Sequence, residues 1–172
     1  VAAFDGTNYL AVWQQSWAEY ADDIGGARIT TGGVVLDPQS IVISAAASDQ
    51  YFPRLAWGGT SYMVVWQDWR NGGDMVYGAR VAPDGAVLDS SGIPITRVTA
   101  DWPFPQAAFD GTDFVVSWLD QRGLDDDIYC VRLSQEGVLL DSGPAVTQAG
   151  DQTSIGLARG PGSQVLLTYE GM

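Results

Sequence analysis

The chain has 172 residues and a formal net charge of −13, from 21 acidic and 8 basic residues, and it contains no histidine. Such a surface repels phosphate, so nucleic acid and anionic lipid are poor partners. Without histidine, Ser-His-Asp and Cys-His catalytic groups and imidazole-bearing zinc sites are excluded. The single cysteine, Cys130, excludes a disulfide within the chain. No apolar run approaches the roughly 18 residues of a membrane-spanning helix, so we expect no membrane insertion.

A five-residue phrase recurs along the chain at a nearly constant spacing. It reads AFDGT at 3–7, AWGGT at 56–60 and AFDGT again at 108–112. Leu-Asp pairs recur in the same register, at 36–37, 88–89 and 140–141. A fixed period of about 50 residues indicates a repeat architecture. We therefore predict a single repeat array over 1–172, with units 1–53, 54–105 and 106–156 and a partial fourth unit at 157–172.

Each full unit carries four strand signals in the same order. A short first strand, such as RLAW at 54–57, precedes Asp-Gly or Gly-Gly, a pair that suits a two-residue hairpin turn. The second strand, SYMVVWQ at 61–67 in the second unit, is apolar on both faces, which favours a position inside a stack of sheets. After the third strand, a turn such as Pro-Asp-Gly leads into the fourth strand, where Pro94 indicates an edge position.

Four short antiparallel strands per unit predict the blades of an all-β β-propeller, with three four-stranded blades and a partial fourth. One chain then forms an incomplete ring. A β-sandwich is the alternative, although it does not require so strict a period. The open stack should leave apolar faces uncovered at its ends, with residues such as Leu10, Val12, Leu166 and Tyr169. A second copy of the chain, as a homodimer that completes the ring, or the missing repeats of a longer chain would cover them.

Three segments carry a resemblance to a known family: AFDGTNYLAVW at 3–13, VVWQDWRNGGDMVYGARVAPDGAVLDSSGIPIT at 64–96 and SWLDQRGLDDDIYCVRLSQEGVLLD at 117–141. They resemble the propeller-type repeats of large secreted or surface proteins of bacteria. The resemblance covers nearly the whole chain. It implies a β-propeller in an extracytoplasmic setting, secreted or at the cell surface, and no defined activity. The first unit departs from the pattern, since Gln15 and Trp17 stand where the other units have the Asp and Arg of 68–70 and 120–122.

Residues that recur in every full unit are expected to hold the units together. The recurring tryptophans should occupy equivalent buried positions: Trp13, Trp66 and Trp118. The recurring arginines could form a carboxylate-binding cluster like that of sialidase-type propellers: Arg28, Arg80 and Arg132. Because they lie on the third strand, away from the predicted channel, we expect structural Asp–Arg pairs instead, for instance with Asp68 or Asp120.

Residues that break the repeat pattern are better candidates for binding. Four aromatic residues near the loops are candidate ligand-binding residues: Trp17, Tyr20, Trp69 and Trp102. Exposed rings of this kind stack on sugar faces or anchor a protein partner. The alternative is that they pack between blades.

An acidic run, LDDDIY at 124–129, supplies hard oxygen ligands that suit Ca²⁺. With a nearby carboxylate it gives four candidate calcium ligands: Asp120, Asp125, Asp126 and Asp127. The spacing differs from that of a calcium-binding loop, and a solvated acidic hairpin is the alternative.

No catalytic residue is assigned. The first functional hypothesis is a non-catalytic propeller segment of a secreted or surface protein that serves as a scaffold or binds a glycan or protein ligand. The second is a carbohydrate-active propeller, either a lectin or a glycoside hydrolase that uses two carboxylates.

Overall fold

The computed structural model describes residues 1–18, 21–96, 102–121 and 124–171, apart from the side chains of 17 and 18. All regular elements in these ranges are β-strands, which confirms the all-β prediction. No helix in these ranges is long and apolar enough to span a membrane.

The strands form three four-stranded sheets and one two-stranded sheet, each antiparallel and in chain order. Sheet 1 contains β1 (Ala2–Phe4), β2 (Asn8–Ala18), β3 (Ala21–Thr30) and β4 (Ile41–Ser44). Sheet 2 contains β5 (Gln50–Trp57), β6 (Tyr62–Asp68), β7 (Met75–Val81) and β8 (Ile93–Pro94). Sheet 3 contains β9 (Gln106–Phe109), β10 (Phe114–Asp120), β11 (Asp127–Leu133) and β12 (Leu139–Val146). Sheet 4 contains β13 (Gln152–Arg159) and β14 (Val165–Gly171).

The recurring five-residue phrase forms the hairpin between the first and second strands, as predicted, but the two central turn residues are Gly-Thr. Gly6 has a φ of 100°, and the Asp5 amide donates to the Asn8 carbonyl over 3.0 Å. Positive φ at the first central residue is the reason that a glycine stands there. The Asp5 carboxylate lies before the turn and accepts the amides of Thr7 and Asn8, each over 2.7 Å. The aspartate therefore caps the turn from outside its central pair.

The second copy of the phrase has Gly58 in place of this aspartate because of a neighbouring ring. A Cβ at Gly58 would clash with the Phe114 ring of sheet 3. At the matching contact between sheets 1 and 2, Tyr62 replaces the phenylalanine and Asp5 replaces the glycine. The Tyr62 hydroxyl lies 3.3 Å from the Asn8 carbonyl, and burial, followed by its hydrogen bond to Asp5, raises the pKa of Tyr62. The phrase thus varies with the sheet that follows it.

The sheets pack face to face in chain order. Between sheets 1 and 2, Leu10 and Val12 contact the face of β6 that carries Trp66. Between sheets 2 and 3, the opposite face of β6, with Met63, meets the face of β10 that carries Trp118. The second strands of sheets 2 and 3 therefore present their tryptophan faces to the preceding sheet. The first strands also contact one another, β1 with β5, β5 with β9 and β9 with β13.

The prediction of uncovered end faces was wrong for Leu10 and Val12, which are 0% and 1% exposed. These side chains face sheet 2. The uncovered face of sheet 1 instead carries Tyr9, which is 42% exposed, and Trp13, which is half-buried. Trp13 therefore differs from Trp66 and Trp118 in burial because no sheet of the described residues packs on its face.

At the other end of the stack, sheet 4 agrees better with the prediction of exposed apolar side chains. Leu166 is 61% exposed on β14, while Tyr169 is half-buried. Successive residues on a strand point to opposite faces, so these two lie on opposite sides of sheet 4. Pro94 lies in β8, at the edge of sheet 2, as predicted.

Candidate functional site: an aromatic cleft

A cleft of about 540 Å³ lies at the end of sheets 1 and 2 opposite the Gly-Thr turns. It is walled by the end of β2, the start of β5, the end of β6 and the segment before β9. These elements meet because the second strand ends where the next sheet's first strand begins. Four aromatic and four polar side chains line it: Tyr51, Phe52, Trp69, Trp102, Gln14, Asp49, Gln67 and Asp74.

The cleft brings together two of the aromatic residues proposed from sequence. Trp69 is 44% exposed and Trp102 is 55% exposed, and both line it. Trp102 belongs to a ring cluster, with centroids 6.3 Å from Phe52 and 6.1 Å from Phe104. Among the described residues, Trp69 has no aromatic ring partner. Tyr20 and the side chain of Trp17 lie outside the described residues.

A bulge at the start of β5, the first strand of sheet 2, positions Phe52 in the ring cluster. The register of β5 shifts between Tyr51 and Arg54, and Phe52 there has a φ of 52°. Phe104, at the equivalent place before β9, has a φ of 41°. A bulky residue in this conformation costs of order 1–3 kcal/mol. Ser154 repeats it in sheet 4 with a φ of 55°, so the backbone shape belongs to the repeat, and the aromatic side chains are what distinguish sheets 2 and 3.

Asp49 connects the two sheets at the cleft. Its Oδ1 accepts the Asp22 amide over 3.0 Å, and its carbonyl accepts the Trp69 amide over 3.0 Å. Burial, followed by interaction with the Asp49 carboxylate and with other nearby aspartates, raises the pKa of Tyr51 to about 12. Tyr51 is therefore neutral near pH 7 and is not a base.

Asp74 is a buried carboxylate, 7% exposed, at the wall of the same cleft. Its Oδ1 accepts Gln67 Nε2 over 2.5 Å, and its Oδ2 accepts the Trp102 amide over 3.3 Å. Gln67 is 1% exposed, and its Oε1 has no hydrogen-bond partner. The cleft wall therefore contains an ionisable acid and an unused amide acceptor.

The proposed calcium ligands do not form a metal-binding group among the described residues. Asp125 Oδ2 accepts the Gly150 amide over 3.1 Å, and Asp126 Oδ2 accepts Gln121 Nε2 over 2.8 Å. Asp120 and Asp127 are paired in register across β10 and β11. No set of three or more acidic or cysteine side chains in the described part of the chain could hold a metal ion. Calcium binding stays a prediction.

The recurring arginines pair with different aspartates from those suggested by sequence. In each full unit the partner belongs to the Leu-Asp phrase, nine residues further on: Arg28 with Asp37, Arg80 with Asp89 and Arg132 with Asp141. The backbone amide of each arginine also donates to the same carboxylate. The arginines therefore tie the third strand to the fourth segment of their own sheet.

Asp68 and Asp120 instead contact the tryptophan of their own strand. Asp68 accepts Trp66 Nε1 over 2.7 Å and forms an ion pair with Arg70 over 2.6 Å. Asp120 lies 3.4 Å from Trp118 Nε1, and Arg122 lies outside the described residues. These contacts fit structural roles for both carboxylates.

Sequence reasoning missed Phe52, Phe104, Asp49, Gln67 and Asp74. The available signal was a difference between units. The phrases that open the sheets read DQYFP at 49–53 and DWPFP at 101–105 but DQTSI at 151–155, so aromatic residues enter only the middle sheets.

The chain matches no family model, and searches of curated proteins and of solved structures also find no match.

Proposed function

We propose that the chain is a non-catalytic segment of a β-propeller in a secreted or surface protein and that it binds a ligand in the aromatic cleft. The observation that carries this proposal is the meeting of two exposed tryptophans, Trp69 and Trp102, in one cleft of about 540 Å³. Ligand sites are concave, mostly apolar and lined by a few placed polar groups. This cleft has all three properties.

The propeller part of the proposal is supported by the arrangement of the sheets. Each full sheet is a four-stranded antiparallel meander, and successive sheets pack face to face with their first strands in contact. In a propeller the first strands surround the central channel. Three full sheets and a two-stranded sheet form an arc of such a ring.

The exposed faces at the two ends of the arc support the proposal that a partner completes it. Tyr9 and Phe4 are 42% and 41% exposed and pack together, with ring centroids 4.8 Å apart. Leu166 is exposed at the other end. We propose that a second copy of the chain, or further repeats of a longer chain, covers these faces, because apolar patches of this kind seldom remain open to solvent.

Binding in the cleft can be tested by screening the full chain against a glycan array and a panel of small organic ligands. Trp69→Ala should abolish whatever binding is found, because it removes the free ring. Leu124→Ala removes a side chain that is fully exposed outside the cleft and should leave binding unchanged. Absence of any ligand, or binding that is insensitive to both Trp69→Ala and Trp102→Ala, would contradict the proposal.

A carbohydrate-active protein is the second candidate, and one observation favours it: Asp49 and Asp74 line the same cleft. Glycosidases need two carboxylates on either side of the scissile bond. Turnover of chromogenic glycosides by the native chain, lost in Asp74→Asn, would establish hydrolysis. Glycan binding without turnover would instead establish a lectin.

A further inference from the structure

Within the described part of the chain, the carboxylates of the cleft have hydrogen-bond partners but no ionic partner. Asp49 accepts the Asp22 amide, and Asp74 accepts Gln67 and the Trp102 amide. Neither forms an ion pair with an arginine of the described residues. The sequence contains no lysine. The donors that satisfy the two aspartates are all neutral groups.

This arrangement favours a ligand that carries a positive charge. A buried carboxylate is costly unless a positive charge compensates it, and Asp74 is 7% exposed. The compensating attraction is electrostatic and requires no N–H group on the ligand. A cation of that kind is a quaternary ammonium, in which methyl groups surround the charged nitrogen.

The aromatic rings favour the same ligand. A quaternary ammonium is attracted to the faces of Trp, Tyr and Phe rings, and desolvated sites hold it most strongly. Trp69 is 44% exposed and has no ring partner among the described residues, and the ring cluster of Phe52 and Trp102 lines the same cleft.

The cleft volume fits a charged and partly apolar guest. The volume of about 540 Å³ exceeds that of one trimethylammonium group, so the cleft also admits part of the molecule that carries the group.

We propose that the aromatic cleft binds a quaternary ammonium group, as carried by choline or by trimethylated lysine. This inference rests on the proposed binding function and names the chemical class of its ligand. The positive charge is the property recognised, and Asp49 and Asp74 supply its counter-charge.

The test compares choline with 3,3-dimethylbutan-1-ol, in which carbon replaces the charged nitrogen at nearly the same shape. Isothermal titration of the full chain should show choline binding, with the neutral analogue weaker by about tenfold or more. A peptide containing trimethyllysine, its unmodified lysine counterpart and phosphocholine form the other arms. Tighter binding of the trimethyllysine peptide than of choline would assign the source to a modified peptide. Tighter binding of choline would assign a small molecule.

Variants connect the binding to the cleft. Trp69→Ala and Asp74→Asn should each weaken choline binding by about tenfold, by removing a ring face or a charge. Leu124→Ala should leave it unchanged. Far-ultraviolet spectra check that each variant is folded, and the choline comparison on the native chain needs no variant.

Equal affinity for choline and its neutral analogue, or no binding of either, would overturn the inference. If an array glycan binds in a Trp69-dependent way while choline does not, only the inference fails and the binding function stands. If no ligand of either kind binds, both fail.

Discussion

The Arg–Asp pair of sheet 2 and that of sheet 3 have the same sequence spacing but different surroundings. Arg80 and Asp89 are 2.8 Å apart, with side chains 19% and 18% exposed. Arg132 and Asp141 are 2.6 Å apart, with side chains 49% and 56% exposed. The Leu-Asp phrase therefore determines which residues pair, whereas contacts from outside the sheet determine how far the pair is buried.

The difference arises from the turn of the following sheet. Arg80 Nη1 donates to the Gln135 carbonyl of sheet 3 over 3.3 Å, just as Arg28 Nη1 donates to the Pro83 carbonyl of sheet 2 over 3.4 Å. In the described residues sheet 4 contains two strands and supplies no such turn contact, and Arg132 contacts Asp113 within its own sheet. The Arg–Asp pair is therefore largely buried where the following sheet supplies a turn and exposed where it does not.

The largest effect should come from the tryptophan that two sheets enclose. Trp66→Ala should lower the free energy of unfolding by about 3–5 kcal/mol, because the ring is 0% exposed and leaves a cavity. Trp13→Ala, at the aligned position on the uncovered face, should cost clearly less. Urea denaturation measures both, and equal losses would show that coverage by a preceding sheet does not matter.

The Arg–Asp pairs provide the second comparison. Asp89→Ala should cost about 1–3 kcal/mol, because the Arg80 guanidinium and amide lose a shared, largely buried acceptor. Asp141→Ala removes the same phrase residue from an exposed pair, and its effect should be close to experimental error. A larger loss from Asp141→Ala than from Asp89→Ala would contradict the role assigned to the following turn.

Substitution of the turn glycines distinguishes the cost of backbone strain from the cost of a clash with the preceding sheet. Gly33 and Gly85 have φ of 82° and 90°, so alanine should cost about 1–2 kcal/mol at either position. A Cβ at Gly85 would also lie 3.0 Å from Arg28 Nε, whereas one at Gly33 would meet nothing within 4 Å. Thermal unfolding should therefore show the larger loss for Gly85→Ala. The reverse order would mean that this contact adapts freely.

A smaller effect should appear in the pH dependence. The hydrogen bond from Arg28 holds the pKa of Asp37 below its usual range. The stabilisation is therefore fully present above the unfolded pKa of about 3.9 and is lost as the pH falls through the lower folded value. Asp37→Asn should flatten the loss of stability of the native chain below about pH 4. An equal loss of stability in the two proteins as the pH falls would argue against the Arg28–Asp37 pairing.

The period and the turn residues made most of the architecture predictable. Recurring phrases located the sheets, and the Gly-Thr hairpins needed only local backbone chemistry. The burial of Leu10 was not predictable in the same way, because a strand apolar on both faces does not reveal which face meets a neighbour. The Arg28–Asp37 pair depends on the path of the chain between the third and fourth strands, which spacing alone does not give.

Only some of the residues that line the cleft could be predicted from the sequence. Trp69 and Trp102 stood out because they break the repeat. Asp74 did not, since it is one of 21 acidic residues. Phe52 was hidden because its position depends on a bulge with positive φ, a conformation that the sequence of an aromatic residue does not signal.

Sedimentation equilibrium of the full chain at micromolar concentration, read together with the binding of a hydrophobic dye, tests most directly whether the terminal sheets need a partner. Exposed Tyr9 and Leu166 predict either a dimer or larger assembly, or a monomer that binds the dye at its open faces. A stable, well-folded monomer that binds no dye would contradict the proposal that a partner covers the terminal sheets.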